Sequence, residues 1–188
     1  MKTVGCRWLS SASLGVFVAS LLWLPPSGSL AQERHKVAWS ARPENTKYTF
    51  QHVLEVGDVP GHAIRMIEIR RTFPDNAMTF EGLKVVEDVS RGTTDLIAGN
   101  GFGSGYTTAK LENGDLMFSQ WQNSVQTVVN QDGSRKTVFV GTYITTGGTG
   151  KARGVKGFGR FSGLSELNAA GMATRNEYSG EGEYWIEK

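Results

Sequence analysis

Three side chains in the first half of the chain have the types and spacing for acid–base chemistry. His52 interrupts a run in which Tyr48, Phe50, Leu54 and Val56 share one face of an expected strand. An imidazole among apolar neighbours can act as a general base or hold a ligand oxygen near neutral pH. Glu68 and Arg70 stand two residues apart on the next expected strand, so they point the same way. His52, Glu68 and Arg70 are the candidate catalytic groups. Each has a plainer reading. A core histidine hydrogen-bonds to a neighbouring strand, and charged pairs on a strand usually form a solvated face.

Two further clusters carry charge. Glu177, Glu181 and Glu183 share a face near the C-terminus and read as paired carboxylates or as an outer surface. Lys151, Arg153 and Lys156 follow a glycine-rich turn and suit either an anion at a barrel mouth or a solvated loop. Several chemistries find no support. No nucleophile elbow or Ser-His-Asp arrangement occurs. The phosphate-loop pattern fails because Thr145 stands where a glycine is required before Gly150-Lys151. The alternating glycines from Gly99 to Gly105 are followed by no helical pattern, so the dinucleotide fingerprint lacks its context. Three histidines and one cysteine, Cys6, do not compose a zinc site, and no cofactor is expected.

The elements that would hold these groups are strands. Tyr48–Val56 and His62–Phe73 alternate and are separated by the turn Gly57-Asp58-Val59-Pro60-Gly61. Met78–Val86, Thr93–Ala98, Tyr106–Leu111, Leu116–Gln122, Ser124–Val129, Lys136–Thr146, Gly157–Ser162 and Thr174–Ile186 follow. Asn113-Gly114 and Asp132-Gly133 mark hairpins. Leu164–Met172 reads as a loop or helical turn. In the Gly99–Gly105 stretch glycines recur at every second residue, leaving one strand face bare for a sharp bend or a close approach. Strand runs at roughly ten-residue spacing without an amphipathic helix predict an all-β fold. A single closed antiparallel barrel of about eight strands removes the sheet edges, and scattered glycines let it curve.

The first 31 residues read differently. Lys2 and Arg7 precede the apolar run Leu14–Leu24, and Ser29-Leu30-Ala31 offers small residues for cleavage. The run is too short to span a membrane, so 1–31 is expected to be a secretory signal peptide, with no span left after cleavage. Its removal takes away Cys6 and leaves a chain exported to a bacterial periplasm or medium that is held by its core rather than by disulfides. Lys2 and Arg7 account for two of the 20 Lys+Arg, leaving 18 against 18 Asp+Glu. A neutral chain is a poor partner for nucleic acid. Residues 32–46 lack periodicity and are expected to be a flexible N-terminal arm ahead of a barrel at 47–188.

The segment GGTGKARGVKG, Gly147–Gly157, resembles a pattern of plant dirigent proteins and allene oxide cyclases. In those proteins a strand ends in a GGTG-type turn, followed by a basic residue, an Arg-Gly pair and a returning strand. The chain as a whole also resembles an uncharacterised family of exported bacterial proteins ending in Gly-Glu-Tyr-Trp, here Gly182–Trp185. The first resemblance implies a calycin-like barrel, a trimer, and a lumen that holds a small hydrophobic or aromatic molecule. Tyr48, Phe50, His52, Met66, Tyr106, Trp121 and Tyr143 are the candidate ligand-binding residues. Three functions are carried forward: lumen binding of such a molecule, a cyclase, isomerase or dirigent-like enzyme using the same lumen, and an oligomeric scaffold without a ligand.

Overall fold

The computed structural model describes residues 32–187, so the expected signal peptide lies outside the described residues. Alternation, β-branched and aromatic residues, and glycine turns give ten antiparallel strands: β1 (His35–Ala41), β2 (Thr46–Glu55), β3 (His62–Thr72), β4 (Thr79–Phe80), β5 (Leu83–Ile97), β6 (Asn100–Leu111), β7 (Leu116–Val129), β8 (Arg135–Gly148), β9 (Val155–Leu167) and β10 (Ala173–Ile186). The all-β expectation holds, and no α-helix occurs among the described residues. Strands run in the order β1-β10-β9-β8-β7-β6-β5-β3-β2, with β4 beside β5. The Asn113-Gly114 and Asp132-Gly133 turns form as expected, with both glycines at positive φ.

Several strands are longer than their sequence patterns suggest. Met78–Val86 and Thr93–Ala98 were separated by the polar stretch Glu87–Gly92, yet β5 runs through it, because Asp88 and Ser90 are buried on the inner face. Likewise β7 joins two expected strands, and β9 continues to Leu167 through the expected loop. The expected flexible arm is also corrected. Residues 35–41 form β1 and pair with β10 from His35↔Tyr184 to Ala41↔Tyr178.

The closed barrel is not formed by strand pairing: β1 and β2 are the two ends of the sheet. These ends are nonetheless consecutive in the chain, joined by a 3₁₀ turn at Pro43–Asn45. A linker of four residues spans at most about 18 Å, so the sheet must roll until its ends approach. Side chains then stand in for a ladder. Gln51 Nε2 donates to the Ala173 carbonyl at 2.9 Å, and the Ala173 N–H donates to Gln51 Oε1 at 3.1 Å. Tyr48 and Ser165 hydroxyls meet at 3.0 Å across the same seam.

One end of the inner face is filled by an apolar plug. Phe73, Phe80, Val85, Leu111, Ala152 and Val155 are buried there, together with Met117 and Tyr184. The Gly147–Gly157 segment serves this plug. Gly150 takes φ +50°, the Lys151 N–H donates to Asp115 Oδ2 at 2.9 Å, and the chain turns so that Ala152 and Val155 point inward. Lys151 and Arg153 remain exposed, and Lys156 lies 4.0 Å from Glu187.

Glycines and aromatic rings alternate over the rest of the inner face. Gly101, Gly103 and Gly105 do share one face, and it points inward. Gly105 pairs with Trp121 on one side and Gly92 on the other, and the Trp121 ring lies over both. Tyr143 covers Gly159 and Gly182 in the same way, and Phe139 covers Gly163. Missing side chains let the sheet curve tightly, and each ring occupies the space so freed.

Candidate functional site

A cavity of about 170 Å³ lies against this inner face, above the plug. Its apolar wall includes Trp121, Phe139, Tyr143 and Phe161, with Trp121 and Phe161 edge to face at 6.4 Å between centroids. Its polar wall is unusual for a β-sheet interior. Arg71 is 4% exposed and Asp88 5%, and they stand opposite each other on β3 and β5. Arg71 Nη1 donates to Asp88 Oδ1 at 3.1 Å and to Ser90 Oγ at 3.2 Å, and its guanidinium lies 4.1 Å from the Tyr178 ring centre. Asn176 Nδ2 donates to Ser165 Oγ at 3.0 Å, which also meets the Tyr48 hydroxyl.

Burial sets the protonation of these groups. It pushes Tyr178 up to about 12, raises Tyr143 and Tyr48 as well, and so keeps the lumen tyrosines as neutral phenols. Burial also raises Asp88, with Arg71 opposing. Among the described residues, six buried side-chain atoms have no hydrogen-bond partner: Arg65 Nε, Arg71 Nε, Thr94 Oγ1, Trp121 Nε1, Asn123 Oδ1 and Asn176 Oδ1. All six belong to residues that line this cavity. Buried polar groups generally find partners, so these six atoms leave the cavity lining with unused hydrogen-bonding capacity.

Of the seven candidate ligand-binding residues, the structure brings Tyr48, Trp121 and Tyr143 to the cavity. The other four face outward: Phe50 is 49% exposed, Met66 54% and Tyr106 66%, and His52 is exposed as well. The cause on β2 is a bulge. Tyr48 pairs with Ile69 and Phe50 with Glu68, leaving Thr49 unpaired and exchanging the faces of everything beyond it. Gln51 and Val53 therefore turn inward and His52 outward. On β3 the inward face carries Arg65, Ile67, Ile69 and Arg71, opposite to the one holding Met66, Glu68 and Arg70.

His52, Glu68 and Arg70 consequently do not converge on a cavity. Glu68 accepts from Thr49 Oγ1 at 2.6 Å and Arg91 Nε at 2.7 Å, which hold its carboxyl below the usual range, as suits an ion pair rather than a general acid. Arg70 pairs with Glu87 at 2.5 Å. Of the groups that do line the cavity, Arg65 and Arg71 left one signal, charge on both faces of His62–Phe73, which suits a strand beside a partly polar cavity or an edge strand guarded by charge. Asp88, Thr94, Asn123 and Asn176 escaped the reading of motifs. A wider groove of about 1160 Å³ crosses the outer face, lined by Thr93, Ser104, Gln122, Thr142 and Arg160, all of them exposed.

His62 has a structural role at the β2–β3 turn. Its Nδ1 lies 2.5 Å from Asp58 Oδ1 and its Nε2 2.8 Å from Asp95 Oδ1, so two carboxylates, Asp95 foremost, raise its pKa above the ordinary 6.5. A raised pKa means that the folded chain holds the proton more tightly than the unfolded one. The clamp's contribution is complete below pH 6.5 and is lost as pH rises through the raised folded value. Urea midpoints for the wild type should thus fall across this window more than those of His62→Gln. Parallel pH profiles would remove the clamp from the account.

No family model, curated protein or solved structure matches the chain.

Proposed function

We propose that this protein binds one small, ring-sized hydrophobic or aromatic molecule in the lumen of its rolled sheet. One observation carries this reading. The cavity of about 170 Å³ is walled by aromatic rings, and every buried side-chain polar atom lacking a partner among the described residues belongs to its lining. A cavity of about 150 Å³ accommodates benzene, so the volume suits a single ring rather than a long chain. The side-chain seam of Tyr48, Gln51, Ser165 and Ala173 makes the roll work as a closed, calycin-like barrel. On this reading the dirigent and cyclase resemblance reflects shared architecture, and the leader at Met1–Ala31 exports the binder. The lining pairs no nucleophile with a base, which favours binding over an enzymatic reading.

Toluene is the test probe, since it has a ring and no polar group. At about 100-fold above its Kd it should raise Tm by about 8 °C and change tryptophan emission. In Trp121→Phe the emission change should shrink while the Tm rise persists. If toluene up to its solubility moves neither, the lumen reading is wrong.

A further inference from the structure

Resting on that lumen reading, we infer that the natural occupant is a monocyclic aromatic carboxylic acid, its carboxylate held by Arg65, Thr94 and Trp121. Hydrogen-bonding capacity comes first. Two of the six unpartnered atoms, Asn123 Oδ1 and Asn176 Oδ1, can only accept, and Thr94 Oγ1 can do either. Arg65 Nε, Arg71 Nε and Trp121 Nε1 can only donate, and none has an acceptor among the described residues. An occupant that satisfies them must be rich in acceptors, as a carboxylate is.

Placement comes second. Arg65 stands opposite Thr94, Thr94 opposite Gly103, and Gly103 opposite Asn123, so three of the six unpartnered atoms lie along one cross-strand row. Neighbouring strands are about 4.8 Å apart. Gly103 leaves a gap in the row, and a Cβ there would meet Asn123 Oδ1 at 2.6 Å and Thr94 Cγ2 at 2.9 Å. Trp121 is two residues before Asn123 on β7 and faces the same cavity. Arg65 is aimed by its own bond, Nη1 to the Gly171 carbonyl at 2.7 Å, which leaves Nε free.

Charge comes third. Arg71 is neutralised by Asp88, whereas Arg65 bonds a neutral carbonyl. Burial is the main cost to the Arg65 cation, and Arg135 adds like charge, more than Glu55 offsets. A bound anion relieves all of this. The rings of Trp121, Phe139 and Phe161 beside the row then receive the apolar body, and the volume limits it to about one ring.

Benzoate and benzyl alcohol, nearly equal in size, separate the inference from the reading beneath it. By calorimetry at pH 7 the purified protein should bind benzoate about tenfold or more tightly than benzyl alcohol. Arg65→Gln should abolish that preference while keeping benzyl alcohol within about twofold, the retained binding also serving as the fold control. Thr94→Val, which changes one hydroxyl to a methyl, should weaken benzoate selectively and serves if Arg65→Gln does not fold. Benzyl alcohol binding as well as benzoate, with Arg65→Gln silent, would overturn the acid while leaving lumen binding intact. Absence of binding by either probe would remove both.

Discussion

Asp88→Asn is expected to lower the stability of the fold by about 3–5 kcal/mol, because it strands a buried guanidinium. Arg71 keeps Ser90 and the Tyr178 ring but loses its only counter-charge, in a lumen where it is 4% exposed. The paired replacement Arg71→Met with Asp88→Leu should recover most of the loss, since apolar residues of similar volume can replace a buried ion pair at little cost. Urea unfolding of the wild type, Arg71→Met, Asp88→Leu and the double variant closes the cycle. A double variant as unstable as Asp88→Asn would show that the pair contributes more than mutual compensation. The pH response should be distinctive too. Burial raises Asp88 while the Arg71 guanidinium opposes it. Loss of stability in acid comes from surface carboxylates whose pKa is lowered, such as Asp58, Glu68 and Asp115. Their contribution is present above the ordinary carboxylate range and is lost as pH falls through the lowered values.

Gly105→Ala should cost about 3 kcal/mol or more, a large effect for one methyl group. The added Cβ would lie 2.1 Å from the Arg91 carbonyl oxygen and 2.5 Å from the Trp121 ring. One of these contacts is backbone of the adjacent strand, so the strands must part or the ring must lift. Gly147→Ala is the matched control. It has no atom within 4 Å of the new methyl and should change stability by no more than about 0.5 kcal/mol. Near-UV circular dichroism of Gly105→Ala would report the displaced indole. Equal stability of the two variants would refute the idea that bare glycines seat the rings.

Much of the fold was legible because strands and turns leave local marks. Alternation located nearly every strand, and Asn113-Gly114 and Asp132-Gly133 placed two hairpins. The alternating glycines were correctly assigned to one face. Where the reading failed, the missing knowledge was nonlocal. The polar run Glu87–Gly92 looks like a loop until Arg71 is known to stand opposite Asp88. Residues 35–41 look like an arm until β10, more than a hundred residues away, supplies the other half of the ladder.

The candidate site shows the same division. Residue types, order and the periodicity of two settled that this chain is all-β, antiparallel, nearly neutral from residue 32 onward and rich in strand glycines. These properties follow from backbone sterics and side-chain chemistry, which act locally. Which face of each strand meets the cavity was settled by the folded molecule alone. A single unpaired residue, Thr49, turns His52 outward and Gln51 inward, and no sequence period records it. The Arg65–Thr94–Gly103–Asn123 row likewise exists only through pairing, because cross-strand neighbours are fixed by register and not by separation along the chain.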